Sequence, residues 1–381
     1  MPFSERPAFP PGVVLFSLGS VSYECLMDLG PGHHGERLLL ARQRTPEEVL
    51  GDVILKVLPL PLLTEESRRA RGRLEDEVRL AAHLDHPHIA RVHGVHEVKG
   101  ALYVVTECVS GRSLETLINL ADLRGRCFSE SFVLHVGTSV ASALSHAHRR
   151  HDARGVPLGI VHRAIDPTRI RVSWSGRVKL TDFGLARSCL PGRRITSLPR
   201  ARGDVFYASP EVLLGGREDA RSDLFMLGLT LLELATGKHL LDAGSLGRRQ
   251  LWARVPEQDR ARVKHAIARV KQEWRHPDPE ELVTRAASFT PEDVEAAAAT
   301  LSAPLRHVLH TLLRREPSGR YAAALDAELD LRQRLRELGD YGGSCAVREI
   351  REALMEAGER LGEEGPPPEH GFSQDDITTR P

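Results

Sequence analysis

An α+β fold with two unequal lobes is what this sequence predicts, and three observations carry the prediction. The first hundred residues are rich in short apolar β-runs. From about residue 130 onward helical periodicity takes over. And 381 residues suffice for two lobes around a large core. Apolar content of 41% and charged content of 27% are ordinary for a globular protein. Lys+Arg and Asp+Glu balance at 52 each, so no overall field argues for nucleic acid or an anionic membrane.

The elements follow in order. VVLFSL (13–18), ERLLLAR (36–42), DVILKVL (52–58) and ALYVVTE (101–107) read as strands, and 64–85 carries a mixed-charge helical period. SFVLHVGTSVASALSHAH, FMLGLTLLELATG and most of 246–338 read as helices. CAVREIREALMEAGERLG places Val347, Ile350, Leu354, Ala357 and Leu361 on one apolar helix face, to pack on its own domain or to meet a partner helix. The polar, Pro-containing end, EEGPPPEHGFSQDDITTRP, reads as disordered. The expected organisation is an N-terminal extension (1–15), a small lobe with its hinge (16–109), a large lobe (110–338), a C-terminal amphipathic helix (339–363) and a tail (364–381).

Compartment is read from what the sequence carries. Cys25, Cys108, Cys127, Cys189 and Cys345 are scattered without CxxC spacing, which predicts reduced thiols. The start, MPFSERPAFPPG, lacks a signal-peptide core, and Leu224–Leu234 is too short and Gly-interrupted to span a bilayer. A cytoplasmic protein is expected.

Seven short motifs then fall in a fixed order: VILK (53–56), HPHI (86–89), HRAIDPTR (162–169), TDFG (181–184), SPE (209–211), SDLFMLG (222–228) and EPSGRY (316–321). One alone is weak evidence. Together, over roughly residues 16–338, they resemble the bacterial branch of the eukaryotic-type Ser/Thr protein kinases, as does the long RRHDARGVPLG connection. The resemblance implies the two-lobed protein-kinase fold.

It also implies roles residue by residue. Lys56 matches the lysine that pairs with the α- and β-phosphates, and Glu77 the helix glutamate that holds it. Asp182 matches the Mg²⁺-coordinating aspartate, with Phe183 packing beside His162. Thr106 matches the gatekeeper, and Glu107–Val109 the inter-lobe hinge. Asp223 matches the aspartate that holds the catalytic-loop backbone, and Glu211 with Arg320 the ion pair of the large lobe.

The chemical positions depart from the family. Ala164 stands where the general base belongs, and loss of such a base typically costs about 10²–10⁴ in rate. Asp166 replaces the lysine that neutralises the transferring phosphate, and Arg169 replaces the metal-binding asparagine. Asp204 replaces the substrate-loop threonine. The glycine-rich loop is read from LGSVSYECL, with Gly19 as the first glycine, Val21 and Glu24 at the other two, and Leu26 as the apolar residue beyond. Ile54 crowds the adenine side and Arg171 occupies the pocket floor. ATP and Mg²⁺ are therefore expected to bind weakly or not at all, and no cofactor is required.

The resulting expectation is a pseudokinase, a regulatory or scaffolding partner in Ser/Thr phosphorylation signalling. Its expected partners are other signalling proteins, such as an active Ser/Thr kinase or a phosphothreonine-reading domain. The alternatives are an active atypical Ser/Thr kinase and a non-catalytic nucleotide sensor. The arginine-rich stretch ARSCLPGRRITSLPRARGD offers Ser188, Thr196 and Ser197 to phosphorylation in trans beside Arg193 and Arg194, or is a plain solvated loop. In the tail, Ser373, Thr378 and Thr379 are accessible acceptors, or the tail is a spacer.

Overall fold

The computed structural model describes residues 9–32, 35–61, 64–190, 205–241, 246–273 and 278–361. Among the described residues there are two compact units: one runs to Ser110 and includes Asp182–Gly184, the other comprises Gly111–Thr181 and Leu185 to Leu361.

The first unit is an antiparallel six-stranded sheet with one helix. Its strands are β1 (Val14–Leu18), β2 (Val21–Pro31), β3 (Arg37–Arg44), β4 (Val49–Pro59), β5 (Val92–Val98) and β6 (Ala101–Glu107), in the order β1-β2-β3-β4-β6-β5. Alternation decides the faces. Leu39 and Ala41 of β3, with Val53, Leu55 and Val57 of β4, point into one cluster with Phe16, Tyr23 and Cys25. Phe16 stacks on Tyr23 with centroids 4.4 Å apart. Leu58, Leu102 and Val104 face the other way and meet Ala70 and Leu74 of α1 (Glu65–Ala81). Residues 70 and 74 are one turn apart, so α1 lays a single stripe on the sheet. Thr64 caps it, its hydroxyl accepting the Ser67 N–H at 3.0 Å.

In the first unit two strands go beyond the sequence expectation, β2 and β5. β2 contains Glu24, Asp28 and Gly30, which mask its β-pattern. Across to β3, Asp28 takes the Arg37 guanidinium at 2.7 Å and Glu24 takes that of Arg44 at 3.1 Å. β5 (VHGVHEV) carries two histidines and a glycine and is mostly half-buried, so it shows no clean alternation.

The second unit is helical around α3 (Glu130–His148) and α5 (Ala220–Thr236). α5 is buried almost throughout, from Ser222 to Ala235, as a central helix must be. A small sheet, β7 (Gly111–Ser113), β8 (Ile170–Ser173) and β9 (Val178–Leu180), lies beside α2 (Leu114–Arg124). Gly111 is required there, because a Cβ would sit 1.9 Å from the Val172 carbonyl oxygen. Then come α4 (Pro210–Leu213), α6 (Arg248–Arg254), α7 (Arg260–Glu273), α8 (Pro279–Ser288), α9 (Pro291–Ala297), α10 (Ala303–Leu312), α11 (Ala324–Glu337) and α12 (Gly343–Leu361). α6, α7 and α8 share a core of their own, Val255, Val263, Val270 and Val283, against Leu214 and Trp252.

The C-terminal helix packs within its own unit, but on a rotated face. Ala346, Ile350, Ala353 and Ala357 are buried, whereas Val347 and Leu354 are half-buried. Gly343 explains the choice: it lies against Gly176, where a Cβ would come within 2.0 Å of the Gly343 carbonyl oxygen. So close an approach selects small residues for the contact face. Glu349 accepts the Ser129 N–H at 2.6 Å and its hydroxyl at 2.8 Å, and Glu356 pairs with Arg126 at 2.6 Å. No described helix is long and apolar enough to cross a membrane.

Candidate functional site

In the first unit one lysine organises the charge. Lys56 lies between two core-facing residues of β4, so its side chain leaves the opposite face, toward α1. Its Nζ donates to both carboxylate oxygens of Glu77 at 2.8 Å and to Asp182 Oδ1 at 2.9 Å. Burial alone would lower the lysine's pKa. The charges of Asp182, Glu77 and Glu36, with the hydrogen bond that Lys56 donates to Glu77, outweigh it and hold the ammonium well above its ordinary value. Asp182 adopts a left-handed backbone, φ +64°, a conformation a non-glycine residue keeps only where its surroundings impose it. Phe183 is buried and, with Ala81, Leu84 and Ile89, lines a cavity of about 180 Å³. The Thr106 hydroxyl donates to the Ile54 carbonyl at 3.2 Å, and Glu107 accepts the Arg91 N–H at 3.0 Å. Val109 is buried.

The structure moves the glycine-rich loop. Gly19 sits with Ser20 in the tight turn between β1 and β2, where Leu18 pairs with Val21. That turn belongs to a hairpin whose β1 is not adjacent to β4. β3 is the strand that flanks the lysine strand, with Leu38 opposite Lys56. The connection leading into β3 is therefore the one beside Lys56, and it reads Gly30-Pro-Gly32-His-His-Gly35, a complete G-x-G-x-x-G. Gly30 and Gly35 have φ of +88° and +89°, which a side chain would strain. Gly32 N–H donates to the Glu36 carbonyl at 2.7 Å, and Glu36 is itself buried. Val21 and Glu24 are strand residues, not failed glycines, and the Glu24 charge is met by Arg44. Leu26 falls at an irregularity in the β2–β3 register, and the position beyond the third glycine holds Arg37. The missed signal was the motif itself, eleven residues downstream of the glycine chosen.

The second unit carries the loop His162–Arg169. Asp223, completely buried on α5, accepts the backbone N–H groups of His162 and Arg163 at 2.8 Å each, and His148 Nε2 lies 2.8 Å from it. Burial would raise the Asp223 pKa, but the His148 contact and the backbone donor of Arg163 hold it below its ordinary value. His162 Nε2 lies 3.1 Å from the Thr181 carbonyl. Arg163 has φ +73°, and its guanidinium meets Glu218 at 2.7 Å.

Ala164 presents a buried methyl group and no acceptor for a proton. Asp166 caps the short 3-10 turn Pro167–Arg169, accepting the Thr168 N–H at 3.0 Å and its hydroxyl at 2.5 Å. Its other oxygen takes the Arg169 guanidinium in a buried ion pair. Arg171 is half-buried in β8 and donates to the Gly111 carbonyl at 3.1 Å. Elsewhere in this unit Arg320 grips Glu211 through two bonds of 2.8 Å. Arg320 also donates to the Arg221, Arg314 and Arg315 carbonyls, and Ser222 adds a bond to Glu211 at 2.7 Å.

The residues expected as phosphate acceptors divide. Ser188 is buried, so as it stands it offers no open acceptor, contrary to the expectation. Thr196, Ser197, Arg193, Arg194 and Asp204 lie outside the described residues, as do Ser373, Thr378 and Thr379.

Comparison with known proteins agrees with this geometry. The protein kinase domain family matches residues 23–327, starting after Gly19 and before Gly30. The tyrosine-protein kinase MasK of Myxococcus xanthus (strain DK1622) is 28% identical over 312 residues, 78% of this chain and 47% of MasK. The serine/threonine-protein kinase pkn3 of Myxococcus xanthus is 30% identical over 312 residues, 79% of this chain and 52% of pkn3. PrkC of Bacillus subtilis (strain 168), a serine/threonine-protein kinase, is 34% identical over 191 residues, 49% of this chain and 28% of PrkC. The chain thus spans about half or less of these relatives' length. It belongs to the protein kinase family, in the bacterial eukaryotic-type Ser/Thr branch, and has the two-lobed fold of that family.

Proposed function

We propose that this chain is a pseudokinase: a kinase-family protein impaired in phosphoryl transfer that works by holding other signalling proteins in a Ser/Thr phosphorylation pathway. One observation carries the reading, the Asp166–Arg169 ion pair beside Ala164. A transfer loop needs a proton acceptor, a cation for the moving phosphate and a neutral metal ligand. This loop supplies a methyl group, a carboxylate and a guanidinium, and the last two neutralise each other. Asp166 is no substitute base, because its oxygens already accept from Thr168 and Arg169.

The nucleotide part of the expectation changes. Two of the reasons for weak binding, Val21 and Glu24, fall with the loop reassignment. The donors suited to a triphosphate are the backbone N–H groups of Gly30 and Gly35 and the Lys56 ammonium. Ile54, Arg37 and Arg171 still argue against a tight adenine pocket. For Mg²⁺ the fit is poor, since Asp182 is bonded to Lys56 and Arg169 cannot ligate metal. Nucleotide held loosely, with little or no transfer, is the reading these residues support.

A second reading, an active atypical kinase, is favoured by the formed Lys56–Glu77 pair and by relatives whose names are those of kinases. Labelled ATP with Mg²⁺ or Mn²⁺, offered with Ser/Thr and Tyr acceptors, decides between them. The pseudokinase reading expects no transfer above a Lys56→Met control, and robust transfer lost in that control establishes the active enzyme.

A further inference from the structure

The connection from α3 to the catalytic loop folds into a ribbon of its own. The Leu158 N–H donates to the Arg150 carbonyl at 2.8 Å and the Asp152 N–H to the Val156 carbonyl at 2.9 Å, which closes a hairpin over residues 150–158. Asp152 shapes its tip, where one carboxylate oxygen accepts the Arg154 and Val156 N–H groups at 2.8 and 2.9 Å. A third segment then lies along the returning strand. The Cys189 N–H donates to the Leu158 carbonyl at 2.7 Å, and Val161 and Arg187 exchange backbone bonds of 3.0 and 2.7 Å.

The ribbon concentrates positive charge in a chain that is neutral overall. Arg149, Arg150, Arg154 and Arg187 stand against one carboxylate, Asp152, which the tip already uses. Among the described residues none of these four arginines is in an ion pair. Glu218, whose charge reaches Arg187, is paired with Arg163 at 2.7 Å. Arg149, Arg154 and Arg187 are exposed, and so is Val156, at 54%. Three strands about 4.8 Å apart span about 10 Å, the screening length near 0.1 M salt, so charges across the ribbon act together. From the Arg154 tip to Arg187, opposite Val161, the ribbon runs about 20 Å, the length of about six extended residues.

We propose that this ribbon is a docking surface for an extended acidic peptide segment of a partner protein, with one apolar side chain of the peptide set on Val156. Carboxylates along the peptide answer the row of arginines that no carboxylate of the described chain neutralises. Nucleic acid fits less well, because residues 149–158 contain no Phe, Tyr or Trp to stack a base and the whole chain has no net positive charge. A single exposed valine is too little apolar surface to enter a bilayer. The surface goes beyond the pseudokinase reading and stands whether or not the catalytic loop transfers phosphate.

Fluorescence anisotropy with the full chain and a labelled peptide of six glutamates around one leucine tests it. Saturable binding that weakens as salt is raised is expected. Arg154→Glu and Arg187→Glu should each weaken it about tenfold or more, as should replacing the peptide's glutamates by glutamine. Arg149→Glu carries the same expectation should either variant not fold. Val156→Ser should weaken the leucine peptide and leave one with serine in its place unaffected. Lys264→Glu, at an exposed position of α7, should change nothing. Absence of saturable binding to the unaltered chain overturns the surface, as does equal weakening by Lys264→Glu. Unchanged affinity in Val156→Ser overturns the apolar contact. Tighter binding of an oligothymidylate or of phosphatidylserine vesicles at the same salt overturns the assignment to a peptide.

Discussion

Asp166 and Arg169, three residues apart, bury an ion pair inside a single 3-10 turn, with side chains 2% and 3% exposed. Desolvation makes such a pair a poor stabiliser relative to apolar residues, yet removing one partner strands the other charge. Arg169→Gln should therefore destabilise the second unit by about 3–5 kcal/mol, and Asp166→Asn with Arg169→Gln should recover most of it. Urea unfolding of wild type, Arg169→Gln, Asp166→Asn and the double variant measures the coupling. Equal stability of wild type and Arg169→Gln would show that the pair is not closed in solution.

The same pair limits repair of catalysis. Ala164→Asp alone restores a proton acceptor but leaves a carboxylate and a guanidinium where phosphate and metal must bind. No gain in transfer is expected from that single change. Ala164→Asp with Asp166→Lys and Arg169→Asn should raise transfer by at least the factor of about 10² attributed to a general base. Single-turnover assays with labelled ATP check both, and full rescue by Ala164→Asp alone contradicts the argument.

Much of this was legible in the sequence, and the failures have physical causes. Lys56 with Glu77, and Glu211 with Arg320, could be paired because each motif lies at family spacing, and the structure brings each pair within 2.8 Å. The Asp223 anchor is of the same kind. The glycine-rich loop was misplaced because an extra strand, β1, precedes the family's first strand and ends in a glycine of its own. A β-run followed by Leu-Gly-Ser imitates the start of the pattern, whereas β2 is disguised by acids whose cross-strand arginines are invisible to a one-dimensional reading. The α12 face was rotated for a different reason. Larger apolar residues suggested Val347 and Leu354, but close approach favoured Ala346 and Ala353.

Acid should unfold this protein in two stages. His239, buried and neutral, has its folded pKa lowered to about 3, so the unfolded chain takes up a proton first. Stability then falls as pH drops below about 6.5, with a slope approaching 1.4 kcal/mol per unit. Burial would raise the Glu211 pKa, but Arg320 prevails and depresses it, and Asp223 is also depressed. The stabilisation from these carboxylates is present above the unfolded value, about 4, and is lost as pH falls through the lower folded values. Urea titrations from pH 7 to 3 should show both stages. In His239→Phe the slope between pH 6.5 and 4.5 should shrink while the carboxylate stage remains, and an unchanged upper slope would remove His239 from the explanation.

The reassigned loop makes the sharpest prediction about nucleotide. Backbone N–H groups can close over phosphates only where no side chain intervenes. Gly32 is the most sensitive position, because a Cβ there would meet the Glu36 carboxylate at 2.3 Å. That carboxylate also adds negative charge beside Lys56 and so opposes phosphate. ATP at 100 times its Kd should stabilise the unaltered protein by about 2.7 kcal/mol. Gly32→Val and Lys56→Met should each remove most of that increment, Glu36→Gln should lower the Kd, and Gly19→Ala should leave it unchanged. Because Gly19 has φ +59°, the last variant loses some intrinsic stability, so the quantity to compare is each variant's melting temperature with and without ATP. An increment sensitive to Gly19 and indifferent to Gly32 would return the loop to the β1–β2 turn. No increment in any variant would mean that Lys56, held by Glu77 and Asp182, answers to protein charge alone.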